Sequence, residues 1–372
     1  MSTITRAAVV ESGGAPFTLT DVELAAPGPH EALVRVVATG LCHTDLGVAS
    51  GGLPFPLPGV LGHEGAGVVE EVGSAVTGVA PGDHVVLSFT SCGDCRNCQG
   101  GHPAYCATWL PLNLIGGRRA DGSSTISRDG EPLGGHFFGQ SSFAERALVD
   151  ERSLVKVDPD VPLESIAPLG CGVQTGVGAV WNVLRPRLGD TIVVLGAGAV
   201  GLSAVMAAAL TPATRIIAVD KVAERLSLAK ELGATHTVNA GEADLGETLA
   251  VLTDGQGADG IVETTGSVAV LRQGADALAA RGTLVVVGAP PFGSEVALDV
   301  NGLIPGKRIV GLTLGDSETQ SFIPALVRLV KEGRLPLHRL ISTYPFADID
   351  QAVRDMSAGK AIKPVLTFRP VV

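Results

Sequence analysis

The sequence predicts an α/β protein in two parts, a β-rich domain and a domain built on a doubly wound parallel sheet. The chain has 372 residues, more than one ordinary domain needs, and its 49 glycines suit a fold with many tight turns. Short β-branched runs such as Ala32–Ala38 and Gly67–Val72 lie between turn signals in the first part. Beyond Cys171, strand patterns alternate with helix patterns, which is typical of βαβ units.

The alternating segment predicts a parallel sheet with helices between its strands. The predicted strands are Thr191–Leu195, Thr214–Asp220, Thr235–Val238, Gly260–Val262, Gly282–Val287 and Lys307–Thr313. The predicted helices are Ala199–Leu210, Val222–Leu232, Glu242–Leu252 and Val268–Ala279. The tail that follows carries predicted helices at Thr319–Glu332 and Asp348–Ser357 and a strand at Pro364–Phe368. We expect this tail to return to the first domain.

The segment Ala107–Gly139 departs from both patterns. It holds many Gly, Arg, Asp and Ser residues and has little periodicity. We therefore expect a long excursion over the surface.

The composition narrows the possible partners. The formal net charge of −11 disfavours nucleic acids and anionic membranes, because an acidic surface repels both. The start of the chain, Met1–Val10, holds only a short apolar run, and no apolar stretch reaches the roughly 20 residues that a bilayer requires. We expect a cytoplasmic protein that acts on a small molecule and keeps its cysteines reduced rather than disulfide-bonded.

Four of the six cysteines lie close together in one segment, at Cys92, Cys95, Cys98 and Cys106. Zn²⁺ in structural sites prefers four tetrahedral ligands, and closely spaced thiolates supply them from one loop. Four thiolates leave no position for a substrate, so the spacing predicts a structural zinc. The alternative is a group of unrelated surface thiols. A ribbon that binds nucleic acid is disfavoured, because the loop carries only Arg96 beside Asp94.

A glycine-rich motif, Gly196-x-Gly198-x-x-Gly201, follows the predicted strand Thr191–Leu195 and opens a helix. In this context the motif predicts a dinucleotide site, where a pyrophosphate approaches the backbone at the helix N-terminus. Asp220 ends the next strand, where a carboxylate binds an adenosine ribose and repels the 2′-phosphate of NADP. The motif therefore predicts NAD. The alternative is a glycine-rich turn in a domain that binds no cofactor.

The remaining cysteines, Cys42 and Cys171, form a second candidate set with His63. Each of the three by itself would more often be a packed core residue than a metal ligand. Together they match a catalytic zinc site, which uses three protein ligands and keeps its fourth position open. Two cysteines and one histidine form such a set in alcohol dehydrogenases.

Taken together, these motifs resemble the zinc-containing medium-chain alcohol dehydrogenases. The resemblance covers nearly the whole chain and lies, besides the four-cysteine segment, in Leu41–Asp45, Gly62–Gly73, Gly170–Gly172, Gly196–Gly201 and Lys363–Phe368. The long excursion before Ser142 is similar to that of the liver-type and aryl-alcohol (benzyl-alcohol) branches, and we favour the aryl-alcohol branch.

The resemblance implies a division of the chain into two domains. A GroES-like catalytic domain would span residues 1–172 and 316–372 and hold both zinc ions. A Rossmann domain that binds NAD would span residues 173–315. The resemblance also implies a homodimer or a homotetramer.

The resemblance further implies roles for individual residues. Cys42, His63 and Cys171 would bind the catalytic zinc, and Glu64 would approach it as a transient or outer ligand. Asp45 would hold the ring of His63, and Thr44 would bind the alcohol oxygen. The implied cofactor contacts are Gly196, Gly198, Val200, Gly201, Asp220, Lys221, Arg225, His43, Val287 and Lys363, of which His43 and Lys363 would face the pyrophosphate.

Such a site would move a hydride reversibly between an alcohol and NAD. Zinc acts as a Lewis acid on the hydroxyl oxygen, Thr44 takes the proton, and the nicotinamide takes the hydride, so that the product is an aldehyde or ketone. Liver-type relatives often carry a histidine five residues after the first zinc cysteine, whereas this chain has Gly47. The proton must then leave by water, by ribose and water, or by another group.

The expected substrate is a primary alcohol, aromatic or allylic. Apolar residues near the family's pocket positions favour such alcohols over ethanol: Phe89, Leu110, Trp109 and Leu57, with Val287–Pro290 beside the nicotinamide. Ordinary core packing explains the same residues equally well.

Other functions remain open at this stage. A general aliphatic alcohol dehydrogenase is one, and a glutathione-dependent formaldehyde dehydrogenase is another, although the short uncharged segment Ser50–Pro54 disfavours the latter. A zinc-free quinone reductase would lack the set of Cys42, His63 and Cys171. A non-catalytic NAD-binding protein would not need that set.

Overall fold

The structure, a computed structural model, describes residues 3–119 and 121–368. The chain divides into two compact units, Met1–Cys171 with Glu318–Val372, and Gly172–Ser317. Within the described ranges, no helix is long and apolar enough to cross a membrane.

The first stretch of unit 1 consists mainly of strands. They are β1 (Thr3–Val10), β2 (Phe17–Leu24), β3 (Glu31–Gly40), β4 (Gly59–Val60), β5 (Gly65–Val72), β6 (His84–Leu87), β7 (Ile126–Arg128), β8 (Glu131–Leu133), β9 (Arg146–Asp150) and β10 (Leu154–Lys156). Three short helices accompany them, α1 (His43–Ala49), α2 (Arg96–Gln99) and α3 (Leu163–Ile166). One sheet has the order β4-β1-β2-β7-β8.

Unit 2 is a parallel sheet with helices between its strands. Its helices are α4 (Gly172–Gly178), α5 (Ala199–Ala209), α6 (Ala223–Glu231), α7 (Leu245–Leu252), α8 (Val268–Asp276) and α9 (Val300–Leu303). Its strands are β11 (Thr191–Leu195), β12 (Arg215–Asp220), β13 (His236–Asn239), β14 (Ala258–Glu263), β15 (Leu278–Val286) and β16 (Arg308–Gly311), in the order β13-β12-β11-β14-β15-β16. The predicted doubly wound parallel sheet is confirmed, and apolar residues such as Val193 and Leu284 form its core.

Two helix boundaries in unit 2 differ from the prediction by three residues, and the other boundaries of the predicted helices by one at most. Helix α7 begins at Leu245 rather than Glu242, because the side chain of Asp244 caps it by accepting a hydrogen bond from N of Glu247. Helix α8 ends at Asp276 rather than Ala279, because Leu278 already pairs with Ala258 in the sheet.

The tail of the chain completes unit 1. It contains α10 (Thr319–Lys331), β17 (Ile341–Pro345), α11 (Ile349–Ser357) and β18 (Lys363–Thr367). Strand β18 pairs antiparallel with β3, with Leu366 opposite Thr39, so the tail returns to the first part as expected. The second sheet of unit 1 has the order β10-β6-β5-β3-β18-β17, and β9 also pairs with β3.

The expectation of a surface excursion over Ala107–Gly139 is wrong for much of that segment. Strands β7 and β8 form a hairpin that extends the first sheet, with Ile126 opposite Leu24. Leu114, Ile126 and Leu133 are buried. The strands have three residues each, which is too short for an alternating pattern to stand out in the sequence.

Candidate active site and metal centres

The four closely spaced cysteines converge on one point in unit 1. The sulfur atoms of Cys92, Cys95, Cys98 and Cys106 all lie within 4.8 Å of one another. Backbone N–H groups point at these sulfurs: N of Cys92 donates to Sγ of Cys106 at 3.3 Å, and N of Ala107 donates to Sγ of Cys95 at 3.4 Å. Gly93, with φ +79°, makes the turn between the first two cysteines.

The electrostatics of this cluster suit a metal bound by thiolates. Backbone N–H groups of Ala107 and Cys98 lower the pKa of Cys95 to about 6, so that thiol is ionised at neutral pH. The side chain of Asp94 raises the pKa of Cys92 to about 12, and a bound metal would favour the thiolate of Cys92. Four soft donors in one closed cluster fit Zn²⁺ in a structural role.

A second cluster of potential metal ligands lies where several elements of unit 1 meet. Cys42 directly precedes α1, His63 and Glu64 directly precede β5, and Cys171 follows a short helical turn at Ala167–Gly170. One ligand atom from each of the four residues lies within 4.8 Å of the others. The sequence predicted this set, and the structure brings its members together across long distances in the chain.

The imidazole of His63 is held in one orientation. Its Nδ1 lies 3.0 Å from Oδ1 of Asp45, and both side chains are fully buried. The carboxylate of Asp45 also accepts hydrogen bonds from N of Cys42 at 2.9 Å and N of Gly62 at 3.1 Å. Asp45 therefore ties the backbone of Cys42 to the segment that carries His63.

The other ring nitrogen of His63 has no hydrogen-bond partner in the described part of the chain. Nε2 is buried, and burying such a group without a partner is unfavourable. Burial alone would lower the pKa of His63, but the proximity of Asp45 and of Cys42 raises it to about 10. The fully buried Cys42 thiol has a lowered pKa, with the hydrogen bond from Cys171 as the largest cause. An unpaired nitrogen beside thiol ligands fits a bound zinc.

Lys363 lies beside the second metal cluster, paired with Glu64. Its Nζ donates to Oε1 and Oε2 of Glu64, each at 2.9 Å, and to O of Leu41 at 3.1 Å. The Lys363 side chain is only 3% exposed and that of Glu64 is fully buried. Lys363 is thus paired with a buried carboxylate, as a buried charge requires, and its expected contact with a pyrophosphate stays a prediction.

The backbone at Gly40 also lies close to the carboxylate of Glu64. A Cβ atom at Gly40 would lie 2.0 Å from Oε2 of Glu64, so only glycine fits there. Burial raises the pKa of Glu64 to about 7, with the charge of Lys363 opposing that shift.

The other predicted residues of this region lie on α1. Oγ1 of Thr44 is 3.8 Å from Sγ of Cys42, so Thr44 borders the metal cluster. His43, the first residue of the helix, is exposed. Gly47 lies against Leu53, whose Cδ1 would be 2.9 Å from a Cβ atom at position 47.

Aromatic rings surround His63, and of these the sequence analysis named only Trp109. The ring of Phe138 stacks on the imidazole with centroids 4.5 Å apart, and Phe137 contacts it edge-on at 5.4 Å. Behind them, Trp109 contacts Phe138 at 5.6 Å and Phe55 contacts Phe137 at 5.1 Å. Two adjacent phenylalanines in a chain with only ten were the available signal.

The residues that the sequence analysis named for the pocket differ from one another in burial and in their neighbours. Phe89 is buried at 2% exposure, whereas Leu110 is 39% exposed. Trp109 joins the rings around His63, and Leu57 precedes Pro58 through a cis peptide bond.

The glycine motif in unit 2 adopts the geometry of a phosphate-binding turn. Gly196 has φ +94°, which favours glycine. A Cβ atom at Gly201 would lie 1.8 Å from O of Gly196, so the helix packs against the turn only with glycine there. A Cβ atom at Gly198 would meet nothing within 4 Å, so open space lies above the N-terminus of α5. A pyrophosphate fits such a cradle.

The predicted adenosine contacts lie beside this turn. Oδ2 of Asp220 accepts a hydrogen bond from N of Ala197 at 2.7 Å, so its carboxylate joins the end of β12 to the glycine turn. Arg225 has a buried Nε with no hydrogen-bond partner among residues 3–119 and 121–368, while Lys221 is exposed. Val200 lies in the first turn of α5, and Val287 directly follows β15.

Comparison with known proteins agrees with this architecture. The family described as alcohol dehydrogenase GroES-like domain matches residues 28–159, and the family described as zinc-binding dehydrogenase matches residues 199–332. Geraniol dehydrogenase of Castellaniella defragrans is 42% identical over 365 residues, which cover 98% of this chain and 97% of that protein.

Two solved structures are similar over the full length. One is an alcohol dehydrogenase zinc-binding domain protein from Burkholderia ambifaria, with 52% identity, a TM-score of 0.96, and coverage of 99% of this chain and 100% of that chain. The other is benzyl alcohol dehydrogenase from Acinetobacter calcoaceticus, with 44% identity, a TM-score of 0.95 and the same coverage. The predicted resemblance is confirmed, and this chain belongs to the zinc-containing medium-chain alcohol dehydrogenase family.

Proposed function

We propose that this chain oxidises primary alcohols whose carbinol carbon is benzylic or allylic, uses NAD as the hydride acceptor, and also runs the reaction in reverse. The observation that carries the proposal is the buried Nε2 of His63, which has no hydrogen-bond partner in the part of the chain that the structure describes and lies beside the thiols of Cys42 and Cys171. An open site of this composition is suited to a catalytic zinc.

The proposed substrate class rests on the aromatic surroundings of His63. The rings of Phe137 and Phe138 contact the imidazole directly, and Trp109 and Phe55 pack behind them. Flat apolar surfaces favour an aryl or allyl group over a short alkyl chain. Two of the relatives carry the names geraniol dehydrogenase and benzyl alcohol dehydrogenase, which agree with that class.

The residues of unit 1 would divide the metal chemistry between two sites. Cys42, His63 and Cys171 would hold the catalytic zinc, and the four-cysteine cluster would hold a structural one. When bound, the catalytic zinc supplies a Lewis acid that lowers the pKa of the alcohol hydroxyl. Asp45 keeps the proton of His63 on Nδ1, so that Nε2 offers its lone pair to the metal. Glu64, paired with Lys363, would serve as the outer ligand.

Thr44 would accept the proton of the alcohol. Its hydroxyl borders the cluster through Sγ of Cys42, and a hydroxyl both accepts and donates a proton. The side chain that would carry the proton onward is absent at Gly47, and Leu53 fills the adjacent space. We therefore propose that the proton leaves Thr44 through water or a ribose hydroxyl.

Unit 2 would bind the cofactor. The turn of Gly196, Gly198 and Gly201 would hold the pyrophosphate, and Asp220 with Arg225 would bind the adenosine ribose. When bound, NAD supplies the nicotinamide ring that accepts the hydride. The negative charge of Asp220 opposes a 2′-phosphate, which favours NAD over NADP.

We also propose the assignment of residues 1–172 and 316–372 as the zinc-binding catalytic domain and of residues 173–315 as the NAD-binding domain. We further propose that the protein forms a homodimer or homotetramer and is located in the cytoplasm. Sedimentation of the purified protein tests the oligomeric state, and fractionation of the source cells tests the location.

Metal content and initial rates test the proposed function together. We expect two zinc ions per chain, and NAD reduction that is faster with benzyl alcohol or geraniol than with hexanol or ethanol at equal concentration. NADP in place of NAD is expected to lower kcat/KM. One zinc or none, or a preference for ethanol, would contradict the proposal.

Cysteine variants separate the two metal sites. Cys171→Ser is expected to lose one zinc and all NAD reduction while the second zinc remains. Cys106→Ser is the matched control, because it removes a thiol ligand from the other cluster. It is expected to lose the other zinc and to retain metal at the site of His63. Loss of the same zinc in both variants would contradict the assignment.

A further inference from the structure

We infer that Gln140 and Ser88 are positioning residues for the catalytic zinc, because they join the backbone segments that carry His63 and Cys171. The inference rests on the proposed function, since it takes these two residues as metal ligands. Both act through hydrogen bonds to backbone groups.

Gln140 forms a cross-link with its side-chain amide. Its Nε2 donates to O of His63 at 3.0 Å and to O of Ser88 at 2.9 Å. Its Oε1 accepts from N of Gly65 at 3.1 Å. The side chain is buried at 1% exposure, so its amide protons and its oxygen are used by the protein rather than by solvent. The amide therefore fixes the backbone on both sides of Glu64 against the end of β6.

Ser88 extends this cross-link to the other ligand. Its Oγ donates to O of Gly170 at 2.7 Å, and Gly170 directly precedes Cys171. A Cβ atom at Gly170 would lie 2.1 Å from O of Leu87, so the two backbones meet at a distance that only glycine allows. The path from His63 through Gln140 and Ser88 to Gly170 thus connects two ligands that are far apart in the chain.

The loop that presents Gln140 adopts an unusual backbone conformation. Phe138 has φ +52° and Ser141 has φ +50°, a left-handed region that is unfavourable for such residues, and Gly139 between them has φ +70°. Hydrogen bonds hold the loop in this shape: Oγ of Ser141 donates to O of Val60 at 2.7 Å. Strained backbone of this kind persists where the surroundings impose it, often at functional sites.

The strained loop contacts the ligand His63 in two ways. Gln140 binds its backbone carbonyl, and the ring of Phe138 stacks on its imidazole. Asp45 supplies the connection between His63 and Cys42. The hydrogen bonds of Gln140 and Ser88 supply a connection from His63 to Cys171, so that the three ligands keep their spacing before the metal arrives. Such outer contacts tune metal affinity.

Cobalt substitution tests the inference with a readout other than activity. Co²⁺ is exchanged into the enzyme, and the absorption bands that Cys171→Ser removes are assigned to this site. Gln140→Glu keeps the size and the oxygen acceptors of the side chain but removes the N–H donors to His63 and Ser88. Ser88→Ala removes the donor to Gly170. We expect both variants to shift the assigned bands, and we expect Gln140→Glu to weaken metal binding about tenfold.

Asn113→Asp is the matched control, because Asn113 is also a buried amide with one accepted and two donated hydrogen bonds. Its Oδ1 accepts from N of Thr90, and its Nδ2 donates to O of Thr90 and O of Trp109, each at 2.9 Å. This variant is expected to lower the unfolding temperature while the assigned cobalt bands keep their positions.

The outcomes separate the inference from the proposed function. If the unaltered enzyme takes no metal at the site of Cys171, the proposed function fails whatever the variants do. If it takes metal there and Gln140→Glu shows unchanged bands and affinity, or if Asn113→Asp shifts the bands equally, the inference is overturned. Should Gln140→Glu fail to fold, Ser88→Ala decides by the same criterion.

Discussion

Nδ1 of His63 lies 3.0 Å from Oδ1 of Asp45, inside unit 1 and away from solvent. The contact joins residues 18 positions apart, and Nε2 of the same ring has no hydrogen-bond partner among the described residues. The same carboxylate binds N of Cys42 and N of Gly62, so one side chain orients a predicted ligand and two backbone segments.

Asp45→Asn is expected to weaken zinc binding at this site by about 10- to 100-fold. The asparagine retains an oxygen acceptor but loses the negative charge that fixes the His63 proton on Nδ1. A competition titration with a chelator measures the change. Asp83→Asn is the control, because Asp83 also accepts a backbone hydrogen bond, from N of Ala80, but lies in an unrelated turn. Equal effects of the two changes on zinc affinity would argue against the role of Asp45.

Two glycines of the motif are expected to respond differently to substitution, one in cofactor binding and the other in stability. Gly198→Ala is expected to fold normally, because its Cβ atom meets open space, and to weaken NADH binding, because the methyl group occupies the pyrophosphate cradle. Gly201→Ala is expected to lower the unfolding temperature of the enzyme, because its Cβ atom would lie 1.8 Å from O of Gly196. Fluorescence titration with NADH and thermal unfolding measure the two effects. A Gly198→Ala enzyme that binds NADH as tightly as the original would remove Gly198 from the cofactor site.

The space beside Gly47 predicts how a proton relay could be restored. Gly47→His alone is expected to destabilise the protein by about 1–3 kcal/mol, because Leu53 occupies the space that its Cβ atom would need. Gly47→His with Leu53→Ala removes that clash. In the double variant we expect a smaller solvent isotope effect on hydride transfer than in the original enzyme. Leu53→Ala by itself is the control, and an isotope effect that falls equally in this control would contradict the prediction.

We expect two arginine–glutamate pairs of unit 1 to differ in how much they stabilise the fold. Arg119 binds Glu31 through Nε and Nη2, both at 2.7 Å, with side chains that are 19% and 8% exposed. Arg128 binds Glu11 similarly, but those side chains are 27% and 40% exposed. We expect Arg119→Ala to cost about 3 kcal/mol, because it leaves a buried carboxylate unpaired, and Arg128→Ala no more than about 1 kcal/mol. Denaturant unfolding at pH 7 measures both, and equal costs would contradict the prediction.

The same buried pair predicts a pH dependence. Burial would raise the pKa of Glu31, but hydrogen bonds from Arg119 and from N of Gly28 lower it below its usual value of 4.5. Glu31 therefore stabilises the fold above about pH 4.5, and this contribution is lost as the pH falls through the lowered pKa. We expect Glu31→Gln to flatten the fall in unfolding free energy below pH 4.5. An unchanged slope in that range would contradict the assignment.

Much of the candidate site was predictable because several of its residues lie only a few positions apart in the sequence. The four cysteines at Cys92–Cys106 and the motif Gly196–Gly201 each lie in one local segment, so their geometry follows from the neighbouring residues. The parallel sheet of unit 2 was predictable for a similar reason, since each of its strands and helices has its own periodicity. The short hairpin of β7 and β8 was missed because three-residue strands carry too little pattern.

By itself, the sequence determined the donor types at both metal clusters, the glycine turn with Asp220, and the alternation of strands and helices in unit 2. Only the tertiary structure decided that Lys363 pairs with Glu64, that Phe138 stacks on His63, and that Gln140 and Ser88 bridge toward Cys171. The physical reason is that these contacts join residues far apart in the chain. These residues meet because β18, β6 and the loop before β9 pack together. A local sequence pattern contains no information about that packing.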